Sequence, residues 1–167
     1  GMEFDGVDDY VDTDVKYSSD LSTISFWGRA GSSGQTGVAL LGMQSPGDER
    51  FCLGYNDSGK LGIGFDEDSW NNTGYYADID IDTDWHFYTV VSDGDECRVY
   101  YDGVLVITAL LTDGINNDLN IYIGANNFVG EADNHFEGTI DEVSMFERVL
   151  SEEEIQERLD HHNIPTD

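Results

Sequence analysis

The sequence predicts an all-β fold: a two-sheet antiparallel β-sandwich of the jelly-roll kind, with one short C-terminal helix. Three observations carry that prediction. Apolar residues alternate with polar ones over short runs, the period of strands half buried on one face. Turn signals divide the runs, and 19 glycines against 2 prolines supply most of them. The runs number roughly eleven or twelve at regular spacing, as sandwiches and jelly rolls require.

Met2 to Phe4 and Val7 to Val11 read as opening strands. Leu21 to Ala30 alternates, with Ile24, Phe26 and Gly28 on one face and Ser25, Trp27 and Arg29 on the other. Val38 to Met43 follows a glycine-serine loop and ends at Ser45-Pro46-Gly47-Asp48. Phe51 to Tyr55 and Leu61 to Phe65 flank a hairpin loop, Asn56 to Lys60. A polar loop from Asp66 to Gly74 holds Trp70. Tyr75 to Ile81 then sets Asp78 and Asp80, with Asp82 beyond, on one face, and Ile79 and Ile81 on the other. After Trp85 to Val91, the runs Cys97 to Tyr101 and Val104 to Thr108 flank Asp102-Gly103, the best two-residue hairpin signal in the chain. Leu119 to Ile123 and Thr139 to Phe146 complete the sheets. Trp27 and Trp85, inside strand runs, are expected in the core.

Ser151 with Glu154 three residues on is a capping box, and Leu150 with Ile155 forms a hydrophobic staple around it. The acids of that first turn suit the positive end of the helix dipole. A narrow stripe of Ile155 and Leu159 predicts a helix packed on the sandwich edge.

A chain of 167 residues predicts one domain over 1–167, able to bury roughly two-thirds of its unfolded surface. Its charge is extreme: 35 Asp and Glu against 7 Lys and Arg, a net −28. That field opposes nucleic-acid phosphates and anionic membranes and favours cations. The acids are scattered, so they form no acidic tail. Salt would screen their mutual repulsion, and a halophilic or marine source is the expectation. Cys52 and Cys97 set no disulfide framework, and pairing or two buried thiols are both open. No signal peptide or long apolar run is visible, so no membrane insertion is expected. Gly1 before Met2 reads as a tag remnant. There is no phosphate-binding glycine loop, nucleophile elbow or zinc-type Cys–His spacing.

Four segments together resemble the laminin-G-like jelly-roll domains of the concanavalin A-like lectin and glucanase superfamily. Phe4-Asp5-Gly6-Val7-Asp8-Asp9-Tyr10-Val11 looks like the family's opening strand, and Ile24-Ser25-Phe26-Trp27 like its second. Asp84-Trp85-His86-Phe87-Tyr88-Thr89-Val90, then Arg98-Val99-Tyr100-Tyr101-Asp102-Gly103-Val104-Leu105-Val106, looks like its central hairpin region. Gly138-Thr139-Ile140-Asp141-Glu142-Val143 and the capped helix look like its close. The resemblance spans nearly the whole chain; the order and spacing of the segments carry it, since no single motif is specific. It implies two packed antiparallel sheets, often a structural Ca²⁺ near the first and last strands, and often carbohydrate or protein ligands. Enzymes also occur in the superfamily, so fold alone leaves function open.

Three chemistries follow. Calcium takes about six to eight oxygens, and the resemblance brings Asp5, Asp8 and Asp141 together as its ligands. Asp9 and Glu142 are secondary candidates. A sugar site needs an aromatic platform beside hydrogen-bonding groups. Trp70, Asn71, Asn72, Tyr75 and Tyr76 supply one such set, and a polar loop with Asn126, Asn127 and Asp133, followed by Asn134 and His135, a second. Glycoside hydrolysis would need paired carboxyls about 5–5.5 Å apart. Asp78, Asp80 and Asp82 alternate along one run, and they read more naturally as a charged, edge-protecting strand face. The leading function is therefore non-enzymatic carbohydrate binding with calcium in a structural role. A structural, adhesion or protein-interaction module of a larger surface or virion assembly is the alternative, and a glycoside hydrolase the third. An extracellular or surface setting is expected for any of them.

Overall fold

The computed structural model describes residues 1–16, 23–44, 50–64, 75–110, 120–128 and 131–161. Its strands are β1 (Met2–Asp5), β2 (Val11–Lys16), β3 (Thr23–Ala30), β4 (Val38–Gln44), β5 (Arg50–Tyr55), β6 (Lys60–Gly64) and β7 (Tyr76–Asp80). They continue with β8 (His86–Ser92), β9 (Glu96–Tyr101), β10 (Val104–Leu110), β11 (Asn120–Ile123), β12 (Asn126–Phe128), β13 (Glu131–Asp133) and β14 (Glu137–Phe146). Helix α1 (Glu152–His161) follows. The first sheet has the order β1-β14-β3-β8-β9-β10, the second β2-β11-β4-β5-β6-β7, and β12 with β13 forms a separate hairpin. Pairing is antiparallel in both sheets. The predicted neighbours, first and last strands, do pair: Met2 stands opposite Ile140, Phe4 opposite Gly138 and Asp5 opposite Glu137.

The alternation read in β3 is the one that builds the core. Ile24 and Phe26 point inward to meet Phe51, Leu53, Tyr55, Leu61 and Ile63 of the second sheet. Trp27 is buried at 3% exposure, but on the outer face of the first sheet, against Phe87 at 5.3 Å. Trp85 is half-buried, with the Arg29 guanidinium 5.0 Å from its ring. Cys52 and Cys97 form no disulfide; Cys97 lies in the main core and Cys52 on the outer face of the second sheet, beside Ala39.

Three local readings need correction. Val7 to Val11 is not one strand: residues 6–8 bend, with Gly6 at φ 75°, and β2 starts only at Val11. The polar stretch from Asn126 is not an open loop but the β12–β13 hairpin, with Asn126 opposite Asp133. Each of its strands is three residues long, too short to show a period. Finally, α1 packs on the outer face of the first sheet, not on its edge. Leu150 and Ile155 close over Val91 and Tyr100 there, and Arg158 donates to the hydroxyls of Ser25 (3.3 Å) and Ser144 (2.8 Å). The cap itself is as predicted. Glu154 N–H donates to Ser151 Oγ at 3.3 Å, and Ser151 N–H to Glu154 Oε2 at 2.9 Å. Arg148, first, and that backbone bond hold the Glu154 carboxyl down at about 2.

Candidate functional site

Strand direction gathers the connections 6–10, 31–37, 56–59, 81–85, 102–103, 124–125 and 134–136 at one end of the sandwich. The acidic segment after β1 belongs to this end. Asp5, Asp8 and Asp9 are exposed and bring one carboxylate oxygen each within 4.8 Å of the others. Backbone bonds shape the cluster. Val7 N–H (2.8 Å) and Asp8 N–H (3.3 Å) donate to Asp5 Oδ1, and Asp5 N–H donates to Asp9 Oδ2 at 3.0 Å. The Val7 bond first, then the Asp8 bond, holds the Asp5 carboxyl below its usual range. These bonds stabilise the charged form.

Asp141 does not join them. The register places it four residues along β14 from Glu137, the partner of Asp5, a separation of about 13 Å in a strand. Its carboxylate instead lies 3.2 Å from the Gly1 ammonium. Glu142 follows it in the irregular part of β14, exposed and at φ 51°. Glu137 is the β14 acid at the cluster's end. Gln35 clamps its backbone, donating to the carbonyl at 2.7 Å and accepting from the N–H at 2.8 Å. Between these groups opens a shallow depression of ≈ 340 Å³ lined by Glu3, Asp5, Asp9, Gly31, Glu137 and Thr139. Register therefore sets Glu137, and not Asp141, beside Asp5.

A second constellation at this end ties the β7–β8 connection to the β9–β10 turn. His86 Nδ1 lies 2.7 Å from Asp102 Oδ2, and its Nε2 lies 2.9 Å from Asp82 Oδ1. Asp102, at φ 50° in the predicted two-residue turn, also accepts from Phe87 N–H at 2.8 Å. The imidazole stacks on Tyr101 at 4.5 Å. Behind it the buried hydroxyls of Tyr55 and Tyr88 meet at 2.8 Å, and burial pushes the Tyr55 phenol up to about 12. Desolvation lowers the His86 pKa, but the hydrogen bonds and charges of Asp102 and Asp82 outweigh it, so the net shift is upward.

The sugar candidates fall on the outer face of the second sheet, with exceptions. Trp70, Asn71 and Asn72 lie outside the described residues. Tyr75 turns inward and packs against the main core, its carbonyl accepting from Ile63 N–H at 2.9 Å. Tyr76 is outward and 56% exposed. Asp78 and Asp80 project from the same face of β7, the edge strand, and share Lys60 at 2.6 and 2.9 Å. Asp82 has left the strand to bond His86. On the other side, the hairpin lies over β4. Asn126 is buried at 3% exposure against Gly42, where a Cβ would come within 2.6 Å of the Asn126 Cα. Asn127 pairs with Ala132 in the hairpin. Asp133 is exposed, and its Oδ1 accepts from Asn134 N–H at 2.8 Å. Asn134 fastens the hairpin to β4: its side-chain amide donates to Gly37 O and its carbonyl accepts from Ala39 N–H, both at 2.8 Å.

Between hairpin and Tyr76 the sheet carries small residues, Ala39, Cys52, Gly54 and Gly62, and all four are buried. From β4 to β7 is three strand steps, about 14 Å. One aromatic went unnoticed in the sequence. Tyr10 stacks on Tyr122 of β11 with ring centres 4.9 Å apart and planes at 13°, and His135 stands 6.3 Å from it. Its position next to two aspartates gave no periodic signal.

A family model described as the concanavalin A-like lectin/glucanases superfamily matches residues 5–156. No curated protein matches by sequence. Among solved structures, domain 4 of AbnA, a GH43 extracellular arabinanase from Geobacillus stearothermophilus, in complex with arabinotriose, is similar at 17% identity and TM-score 0.67, over 89% of this chain and 79% of that one. The CBM40 of the Ruminococcus gnavus IT-sialidase is similar at 18% identity and TM-score 0.65, over 93% of this chain and 94% of that one. The NanB sialidase of Streptococcus pneumoniae is similar at 18% identity and TM-score 0.69, over 93% of this chain but 26% of that one. Identities this low speak to fold.

Proposed function

Since the chain belongs to the concanavalin A-like lectin/glucanase superfamily, we propose that it is a non-catalytic, extracellular carbohydrate-binding module. The observation that carries this reading is a pair of exposed tyrosines set beside exposed carboxylates: Tyr10, 44% exposed, next to Asp8 and Asp9, and Tyr76, 56% exposed, on the same face of β7 as Asp78 and Asp80. An exposed ring beside hydrogen-bond acceptors is the pairing that a hydroxyl-rich ligand with apolar C–H faces calls for. The similar structures agree in class: one is a domain in complex with arabinotriose and another a CBM40 bound to α2,3-sialyllactose. Hydrolysis is not favoured. Asp78 and Asp80 are held together on one lysine rather than facing each other across a cleft. A glycan array run on the wild-type chain tests the reading: one or more oligosaccharides should bind, and a blank array sinks it.

Calcium belongs to the same proposal, in a structural role, with Asp5, Asp8 and Asp9 as its carboxylates and Glu137 nearest on β14. Hard oxygen donors of this kind suit Ca²⁺. Titration of EDTA-treated protein with Ca²⁺ should release or absorb heat at submillimolar concentration and raise the melting temperature. Asp8→Asn should weaken that response, and Asp141→Asn should leave it intact. A response lost only in Asp141→Asn would put the ion at the other end of β14.

A protein-interaction or adhesion role is the second reading, and one strand favours it. β10 is an edge strand without a single charged residue, and it exposes Val104, Leu105 and Leu110. Edges of that kind are templates for a partner strand.

A further inference from the structure

We propose that Tyr10 is the stacking platform of the sugar site: a neutral pyranose ring lies on its open face, in the corner closed by His135. This presupposes the carbohydrate reading above and names the side chain and the sugar class within it.

Tyr10 is 44% exposed, yet its ring is not loose. One face rests on Tyr122, nearly parallel at 4.9 Å, and Tyr122 is itself only 8% exposed, seated in β11 opposite Gly42. The other face of Tyr10 meets solvent. An aromatic face carries negative charge density and attracts positive C–H edges, which one side of a pyranose presents in quantity. A ring already ordered by stacking loses little rotamer freedom when a ligand covers it. Tyr76 is more exposed, at 56%, but among the described residues it has no ring partner, so a ligand would have to order it.

The rim of this platform is polar on two sides. His135 is tilted at 51° to Tyr10, and its Nδ1 lies 3.3 Å from the Asp9 carbonyl, which turns Nε2 away from that contact. Asp8 and Asp9 precede Tyr10 directly and are exposed. Carboxylates accept from sugar hydroxyls. The charge of the whole chain sets the ligand class. A net −28, which one bound Ca²⁺ would change by only two charges, repels a carboxylated sugar and tolerates a neutral one.

The test uses the whole chain on an array that holds both neutral and sialylated oligosaccharides, followed by calorimetry with the strongest hit. Neutral glycans should dominate the hits. Tyr10→Ala should weaken binding about tenfold, while Tyr10→Phe, which keeps the ring, should stay within about twofold of wild type. Melting temperatures of both variants check that the fold is intact, as expected for an exposed side chain. Hits confined to sialylated glycans would overturn the neutral class. Unchanged affinity in Tyr10→Ala would overturn the platform and leave the carbohydrate reading standing, whereas an array without hits removes both.

Discussion

Gly124→Ala is expected to destabilise the protein by about 3 kcal/mol, by adding left-handed strain of roughly 1–2 kcal/mol to an overpacking cost of similar size. Gly124 sits at φ 80°, and a Cβ there would lie 2.4 Å from two ring atoms of Phe4. Neither contact can relax cheaply. Phe4 is 5% exposed in the core, and the Gly124 backbone is fixed on both sides, its N–H to Leu40 O and its carbonyl to Phe136 N–H, each at 2.9 Å. For a domain of this size the change should lower the melting temperature by about 6–12 °C. Two other glycines separate the causes. Gly94 has φ 95° but open space around it, so Gly94→Ala should show the strain alone. Gly34 has open space and no such φ, so Gly34→Ala should be nearly neutral. If Gly94→Ala costs as much as Gly124→Ala, the Phe4 clash is not the reason. The substitution also reaches the site, because Phe4 anchors β1 and the acidic segment that follows it.

The Asp82–His86–Asp102 bridge should make stability depend on pH in a definite direction. The His86 pKa is raised in the folded state, so its contribution is fully present below the unfolded value of 6.5 and is lost as pH rises through the higher folded value. At the acid end of that window, His86→Gln should cost about 2 kcal/mol, less than two charge-assisted bonds in full because both carboxylates are partly exposed and screened. The stability gap between wild type and His86→Gln should then narrow as the buffer moves above neutrality. Measuring the gap by urea unfolding at several pH values cancels the other carboxylates, which are common to both proteins. A gap that widens with pH would mean that His86 serves as a neutral acceptor and not as an imidazolium. Asp102 matters beyond charge, since it also holds Phe87 N–H and occupies the left-handed position of the turn.

The two predictions bracket what was legible in the chain. Asp102-Gly103 was readable as a turn from two residues, because few sequences tolerate positive φ at that point. The role of Asp102 as a partner of His86 was not, because 16 residues separate them and only the β8–β9 pairing closes the distance. Gly124 carried no turn signal of comparable strength. Its constraint comes from Phe4, at the other end of the chain. The acids tell the same story. Asp5 and Asp8 are local to one bend and do gather, while Asp141, tied to them only by a family resemblance, lies a strand segment away.

By itself the sequence determined the sandwich and the capped helix. Each of these follows from short-range chemistry: alternation, turn residues and a capping box within a few positions. Tertiary structure alone decided which acids meet, where the helix rests, that Tyr75 turns inward, and that Tyr10 is stacked and open. Those outcomes depend on strand register and on contacts between residues more than a hundred positions apart, such as Tyr10 with Tyr122 and Phe4 with Gly124. A shift of one residue in register would exchange the faces of β14 or β7 and every side chain on them, and no local pattern of charge or hydrophobicity records it.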